Sequence, residues 1–287
     1  MIPAYNEEDR ILSTLQTYRD LLVTGMQDTN LGPGSILALV RDPEIVVVDD
    51  GSSDSTTHQI VTTFPDLDYD MVPIRCIQLA ENQGKGAALS NGIEFINSGS
   101  GKENNHLLIL TQDADGSGDL KYLHSMIHKL ATMLLPTETR IEDDNNDSTN
   151  VNWWSLPGLV VGNRNYNFFS PRGVTRWGFQ TVVRLLMNGD GLRISDSQCG
   201  YKLMTLSAAK VLYKNLHLTG WSHDVEVLYR ARQLDIPIEE IKIDWEDKDG
   251  SKVVASGVAK VSLQMLWDVL RLRWNYSISQ EWQVIQE

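Results

Sequence analysis

Two aspartates one residue apart, Asp113 and Asp115, stand just after the apolar run His106-Leu-Leu-Ile-Leu110. Paired carboxylates at the end of a buried strand can hold a divalent cation and leave its other positions for phosphate oxygens. A cation held that way neutralises a departing diphosphate. On its own, Asp-x-Asp reads more readily as two solvated acids in a loop. Four further segments change the balance, because each follows an apolar run and each is polar, acidic or glycine-rich. They are Pro3-Ala4-Tyr5-Asn6-Glu7-Glu8, Asp49-Asp50-Gly51-Ser52-Ser53-Asp54, Glu81-Asn82-Gln83-Gly84-Lys85-Gly86 and Gly162-Asn163-Arg164. Parallel α/β sheets take ligands at the carboxyl ends of their strands, so five such segments belong to one crevice. Asp49-Asp50-Gly51 reads as a turn, or as a carboxylate accepting hydrogen bonds from a base or ribose. Asn82 to Gly86 reads as a helix start with a cation, suited to an anion. No G-x-x-x-x-G-K-[ST] loop is present, and no G-x-G-x-x-G follows the first strand, which disfavours a dinucleotide enzyme.

These segments need a scaffold of alternating strands and helices. Met1-Ile2 reads as the stub of a strand, with Asn6 as the cap of a helix reaching about Leu22. Glu44-Ile-Val-Val-Val48 is short, β-branched and apolar on both faces, as parallel strands are. Ser52 or Ser53 caps a helix through about Phe64; 72–79 is a strand, 84–96 a helix, 106–110 a strand and 119–135 a helix with apolar residues three and four apart. Residues 136–152 are acidic and aperiodic and read as a flexible insert. Beyond it, 159–161 and 236–245 read as strands, and 171–187, 206–216, 224–233 and 256–276 as helices. The expectation is one doubly wound domain over 1–276, with a donor half to 135, an acceptor half from 158, and a tail over 277–287.

The composition excludes several classes. With 287 residues, 41% hydrophobic and 22% charged, the chain is neither disordered nor a disulfide scaffold. Its two cysteines, Cys76 and Cys199, form no metal or disulfide spacing, which points to a reducing compartment. A net charge of −13 argues against nucleic acid as a partner. No apolar run is long enough to span a bilayer, and no signal peptide opens the chain. The acidity is lopsided: residues 1–159 hold 9 Lys and Arg against 24 Asp and Glu, whereas 160–287 hold 16 against 14.

The set Pro3-Ala-Tyr-Asn-Glu7, Val48-Asp-Asp-Gly-Ser52, Asn82-Gln-Gly-Lys-Gly86 and Asp113-Ala-Asp-Gly116 resembles the family 2 glycosyltransferases of the GT-A fold. Asp196-Ser-Gln-Cys-Gly-Tyr-Lys-Leu203, Trp221-Ser-His-Asp-Val-Glu-Val-Leu228, Ile236-Pro237, Trp245 and Gly250-Ser-Lys252 look like the dolichyl-phosphate β-glucosyltransferases within it. The resemblance runs from Met1 to about Tyr276 and implies a mostly parallel Rossmann-like sheet flanked by helices. It implies inverting transfer of glucose from UDP-glucose to dolichyl phosphate for protein N-glycosylation, at the cytosolic face of the endoplasmic reticulum membrane. By the same resemblance, Pro3, Ala4, Tyr5, Asn6, Glu7, Asp49, Asp50, Gly51, Asn82, Lys85, Gly86 and Ala114 line the donor site. Asp113 and Asp115 would hold Mg²⁺ or Mn²⁺. Arg164, Arg193, Asp196, Gln198, Trp221 and Lys252 would serve the acceptor and its phosphate. Asp115 and Arg164 are the catalytic candidates, with Asp224 or Glu226 orienting acceptor or sugar. Two other readings remain: another family 2 enzyme, mannosyl or glycan-directed, and a nucleotide-sugar-binding protein without turnover.

The chain departs from the family pattern in places. Gly162-Asn163-Arg164 replaces Gly-Ser-Arg, Ser195 stands where an arginine is usual with Arg193 two residues earlier, and His223 replaces a phenylalanine. Family members carry an N-terminal membrane helix, whereas Met1 here falls within the first strand; either the sequence is truncated or it anchors differently. The last helix offers a partial substitute, with Trp267 and Trp274 beside Arg271 and Arg273, or it packs as an ordinary amphipathic helix.

Overall fold

The computed structural model describes residues 1–27, 42–65, 72–99, 107–135, 152–165, 178–184, 194–245 and 258–283. The acidic insert up to residue 151, Arg193, Lys252 and the start of the helix expected from Pro171 lie outside these residues.

Strands β1 (Ile2–Ala4), β2 (Ile45–Asp49) and β3 (Ile74–Gln78) run parallel in that order, with Ala4 opposite Asp49 and Asp49 opposite Gln78. Every residue of β2 is buried, which explains its unbroken β-branched sequence. Strands β4 (Leu108–Thr111), β5 (Leu159–Asn165), β6 (Lys202–Thr205) and β7 (Ile238–Asp244) pair in the order β4-β6-β5-β7. Here β6 is antiparallel to both neighbours, while β5 and β7 are parallel. Met1 stitches the two sets together: its N donates to Leu110 O at 2.7 Å and its O accepts from Gln112 N at 3.1 Å. The sheet therefore reads β3-β2-β1-β4-β6-β5-β7, and its order reverses between β1 and β4.

Helices α1 (Ile11–Gln27), α2 (Thr56–Thr63), α3 (Lys85–Gly99) and α4 (Leu123–Leu134) follow β1 to β4 in turn. Met126, Ile127, Leu130, Ala131 and Leu134 form one buried stripe of α4, the expected amphipathic pattern. Helices α5 (Leu206–Tyr213), α6 (His223–Gln233) and α7 (Val258–Arg273) complete the second half. The main core gathers α3, α4, α5 and α6 around β4 to β7, and a smaller one lies between α1, α2 and β1 to β3.

The structure corrects several local expectations. Strand β6 has no counterpart in the sequence reading, because Lys202-Leu-Met-Thr is short, opens with a charge and runs straight into α5. Asn6 does not cap α1, which starts five residues later; it adopts φ 54° and its Oδ1 accepts from Ser53 N at 2.8 Å across the crevice. Neither Ser52 nor Ser53 caps α2. The cap position is Ser55, without a side-chain bond; Asp54 just before it accepts from Thr56 N at 2.9 Å, while Ser52 Oγ takes Asn6 N at 2.8 Å. After α7 the chain makes a π turn over Trp274–Ile278 and folds back rather than trailing away. Trp282 stacks on His217 with ring centres 4.2 Å apart.

Candidate active site

A reversal of strand order is where open α/β sheets take ligands, so the carboxyl ends of β1 and β4 locate the site. The loops after β1 and β2 are laced together there. Glu7 N donates to Thr56 Oγ1 at 2.8 Å and Ser55 N to Glu8 Oε2 at 2.9 Å. Pro3 and Ala4 lie within β1, and Tyr5 stands exposed beyond it. Asp49 is wholly buried and turned into the loop, accepting from Ser52 N at 2.9 Å and from Thr57 Oγ1. Asp50 accepts from Gln83 N at 2.9 Å and Gly84 N at 2.8 Å, so it fixes the loop after β3. Burial raises its pKa, and those two amides moderate the rise. Gly51 sits at φ 69° with Glu81 so close that a Cβ would come within 2.5 Å of its backbone carbon. Only glycine serves there.

The start of α3 differs from the open anion site expected of it. Thr219 O accepts from Gly86 N at 2.7 Å and from Ala87 N at 3.3 Å, and Asp50 has taken the Gln83 and Gly84 amides. Four amides around the helix start are thus already engaged by protein groups. What it contributes is the Lys85 side chain, ion-paired with Asp113. Gly200 presses on that pair: a Cβ there would lie 2.7 Å from Asp113 Oδ1 and 3.0 Å from Lys85 Nζ. Burial would lower the Lys85 pKa, but Asp113 and Asp224 outweigh it and hold the ammonium above its usual value. Burial likewise pushes Asp113 up, and Lys85 with Arg164 brings it below the carboxylate norm.

Asp115 points its Oδ1 to Ser117, whose N lies at 2.9 Å and whose hydroxyl also donates. Ala114 between the two aspartates is buried, and Asn82 is exposed at the rim. Arg164 grips Asp196 in a fork, with Nε at 2.6 Å and Nη2 at 2.8 Å, and Trp245 covers the guanidinium at 5.4 Å. Against the cost of burial, Asp196 raises the Arg164 pKa well above its ordinary value. Asp196 is buried and also takes Gln180 Nε2 at 3.3 Å; Gln198 reaches Met265 Sδ at 3.9 Å. Trp221 is 44% exposed, so it is not a core residue, and Lys85 Nζ lies 6.0 Å from its ring centre.

Asp224 and Glu226 both lie in the first turn of α6, two residues apart, but in different surroundings. Asp224 is ion-paired to the buried Lys202, and His223 Nε2 lies 3.2 Å away. Burial would raise its pKa; His223 and Lys202 overcome this and keep it strongly ionised. His223 is a packed residue, its Nδ1 2.9 Å from Gly220 O. Glu226 is fully buried and encircled by donors: His217 N, Leu218 N, Arg230 Nε and Nη2, and Tyr276 OH. It brackets the 217–218 turn to the chain's end rather than facing the aspartate pair. Three contributors were not singled out from the sequence. Lys202 is hidden in a strand that has no local signal. Thr219 acts through its backbone. Arg10 forks Glu7, with Nη2 to Oε1 at 2.9 Å, and lies in the field of Asp115 and Asp113; its position three residues after Glu7 was the available signal.

Residues 1–169 match Glycosyl transferase family 2. The chain belongs to that family. Along 96% of its length this family 2 enzyme is 31% identical to the dolichyl-phosphate beta-glucosyltransferase of Dictyostelium discoideum, covering 73% of it. It is likewise 31% identical over 96% of its length to those of Saccharomyces cerevisiae and Homo sapiens, covering 74% of each. Among solved structures it resembles glucosyl-3-phosphoglycerate synthase from Mycobacterium tuberculosis in complex with Mn²⁺, uridine-diphosphate and phosphoglyceric acid. That match has a TM-score of 0.57 at 15% identity, over 95% of this chain and 76% of that one. The complex of the same synthase with phosphoglyceric acid gives 0.55 at 16% identity, over 94% and 77%. The fold is thus the GT-A glycosyltransferase fold, and the activity class is glycosyl transfer.

Proposed function

We propose that this chain transfers glucose from UDP-glucose to dolichyl phosphate with inversion, giving dolichyl β-D-glucosyl phosphate at the cytosolic face of the endoplasmic reticulum. The observation that carries this reading is the charge cluster at the strand reversal, where Asp113, two residues before Asp115, lies among Lys85, Arg164 and Asp224. The relatives' names supply the sugar and the lipid.

The aspartate pair suits Mg²⁺ or Mn²⁺, since both ions prefer oxygen ligands. Among the described residues no group of three or more His, Cys, Asp or Glu gathers to cage a metal. Two carboxylates alone fit a site completed by the donor diphosphate and water. Once bound, the cation would neutralise charge on the departing UDP. Asp50 and residues 3–7 would hold the uridine. Lys85 and Arg164, each oriented by its own carboxylate partner, would meet the phosphates.

In the transfer an acceptor phosphate oxygen attacks the anomeric carbon as the bond from that carbon to the diphosphate breaks. A phosphate monoester has a second pKa of about 6, so it arrives largely ionised at neutral pH and needs no strong base. Asp224, kept ionised by Lys202 and His223, would act by orienting rather than by taking a proton. The test is donor and acceptor choice. With polyprenyl phosphate and Mg²⁺ or Mn²⁺, UDP-glucose should yield glucosyl lipid. GDP-mannose as the preferred donor, or a saccharide as the required acceptor, would replace the proposal with another family 2 activity.

A further inference from the structure

We infer that the outward face of α7, continued by the π turn after it, docks on the surface of an anionic lipid bilayer. Leu263, Trp267, Leu270, Trp274 and Ile278 are 68%, 59%, 41%, 57% and 59% exposed. Their spacing of four, three, four and four residues puts them on one stripe of the helix. The opposite side is the packed one: Val269 and Leu272 are buried, and Asp268 accepts from Ser222 Oγ at 2.9 Å. An open groove of about 460 Å³ runs along the stripe between Trp267, Leu270, Trp274 and Ile278.

Charge identifies the occupant. Lys260, Arg271 and Arg273 flank the stripe, while the acids of this stretch are the buried Asp268 and the distant Glu281. Tryptophans within an exposed apolar face, with cations flanking it, suit a headgroup boundary. A second copy of the chain fits poorly, because a two-fold contact on this face would set the same cations against each other. The stripe also adjoins the reacting centre. Arg271 is shared between the groove and a cavity of about 360 Å³ that α7 forms with residues 217–221, and Trp221 in that cavity reaches to Lys85. A bilayer seated on α7 would hold a lipid phosphate beside the Lys85–Asp113 pair; this last step rests on the acceptor proposed above.

Vesicle binding is read without any sugar donor, so it stands or falls separately from the transfer activity. The chain should float with phosphatidylcholine vesicles containing phosphatidylserine, and less so as salt is raised. Trp267→Ser with Trp274→Ser should weaken the partition by at least about tenfold. Arg273→Glu should weaken the preference for phosphatidylserine by at least about fivefold. Both variants should keep the parent melting temperature and the parent rate on a short, water-soluble prenyl phosphate. Failure of the parent chain to bind vesicles would overturn the inference. So would unchanged binding by the tryptophan variant, or a dimer in solution that this variant dissociates.

Discussion

Replacing Glu226 with glutamine separates a structural carboxylate from a reacting one. The side chain is fully buried and receives backbone donors from His217 and Leu218, the Arg230 guanidinium and the Tyr276 hydroxyl. Burial alone would raise its pKa, but His217 and Arg230 pull it below the usual value of 4.5. Glutamine has the same shape but removes the charge and turns one acceptor into a donor facing other donors. It leaves Arg230 buried and without its counter-charge, a change that costs about 3–5 kcal/mol. For a chain of this length that corresponds to a melting temperature lowered by roughly 5–8 °C. The activity per folded molecule, measured well below the new melting temperature, should stay within a few fold of the parent. Because the folded pKa is depressed, the stability from Glu226 is complete above its unfolded value and lost as pH falls through the folded one. The melting curve of Glu226→Gln should therefore converge on the parent's in acid. A variant that melts like the parent yet has lost turnover would refute this reasoning and return Glu226 to the chemistry.

Arg164→Lys replaces a fork with a point charge, so one of two charge-assisted bonds to Asp196 is lost; kcat/KM should fall by about ten- to a hundredfold. Gly86→Ala would place a Cβ 2.5 Å from His223 Cβ and 2.9 Å from Thr219 O, forcing α3 and α6 apart. Thermal denaturation should show a loss of about 1–3 kcal/mol, accompanied by reduced turnover because Lys85 moves with the helix start. Asp224 also has a depressed pKa, opposed by burial and carried by His223 and Lys202. Asp224→Asn should thus lose acid sensitivity of folding along with stability at neutral pH, as read by melting temperatures across the acid range.

The sequence disclosed those parts of the site that are local. Runs such as Ile45 to Val48 announce buried strands, and polar residues after them announce the crevice, because strand ends and ligand positions coincide in this architecture. The aspartate pair and Lys85 were legible for the same reason, and the structure joins Lys85 to Asp113 in an ion pair. Contacts between distant segments were not legible. Strand β6 hides because Lys202 is a charge made tolerable inside by Asp224, 22 residues away in the chain. The α3 start looked like an anion site until Thr219 supplied its carbonyl from the second half. Glu226 stands in a motif that invites a catalytic reading, yet its donors come from positions 217, 218, 230 and 276. The tryptophans of α7 could be read either as core or as surface from sequence, and their exposure decides it.

The most direct test of the account is glucosyl transfer by the parent chain and by Asp115→Asn. Each is given UDP-glucose, polyprenyl phosphate and a titration of Mg²⁺ or Mn²⁺, with melting temperatures recorded in parallel. The account predicts metal-dependent glucosyl lipid from the parent. It predicts a loss of at least about a hundredfold in the variant at unchanged fold, since one of two metal-holding carboxylates is gone. Full activity in Asp115→Asn, or parent activity indifferent to metal, would contradict the assignment of the reaction to the aspartate pair at the end of β4.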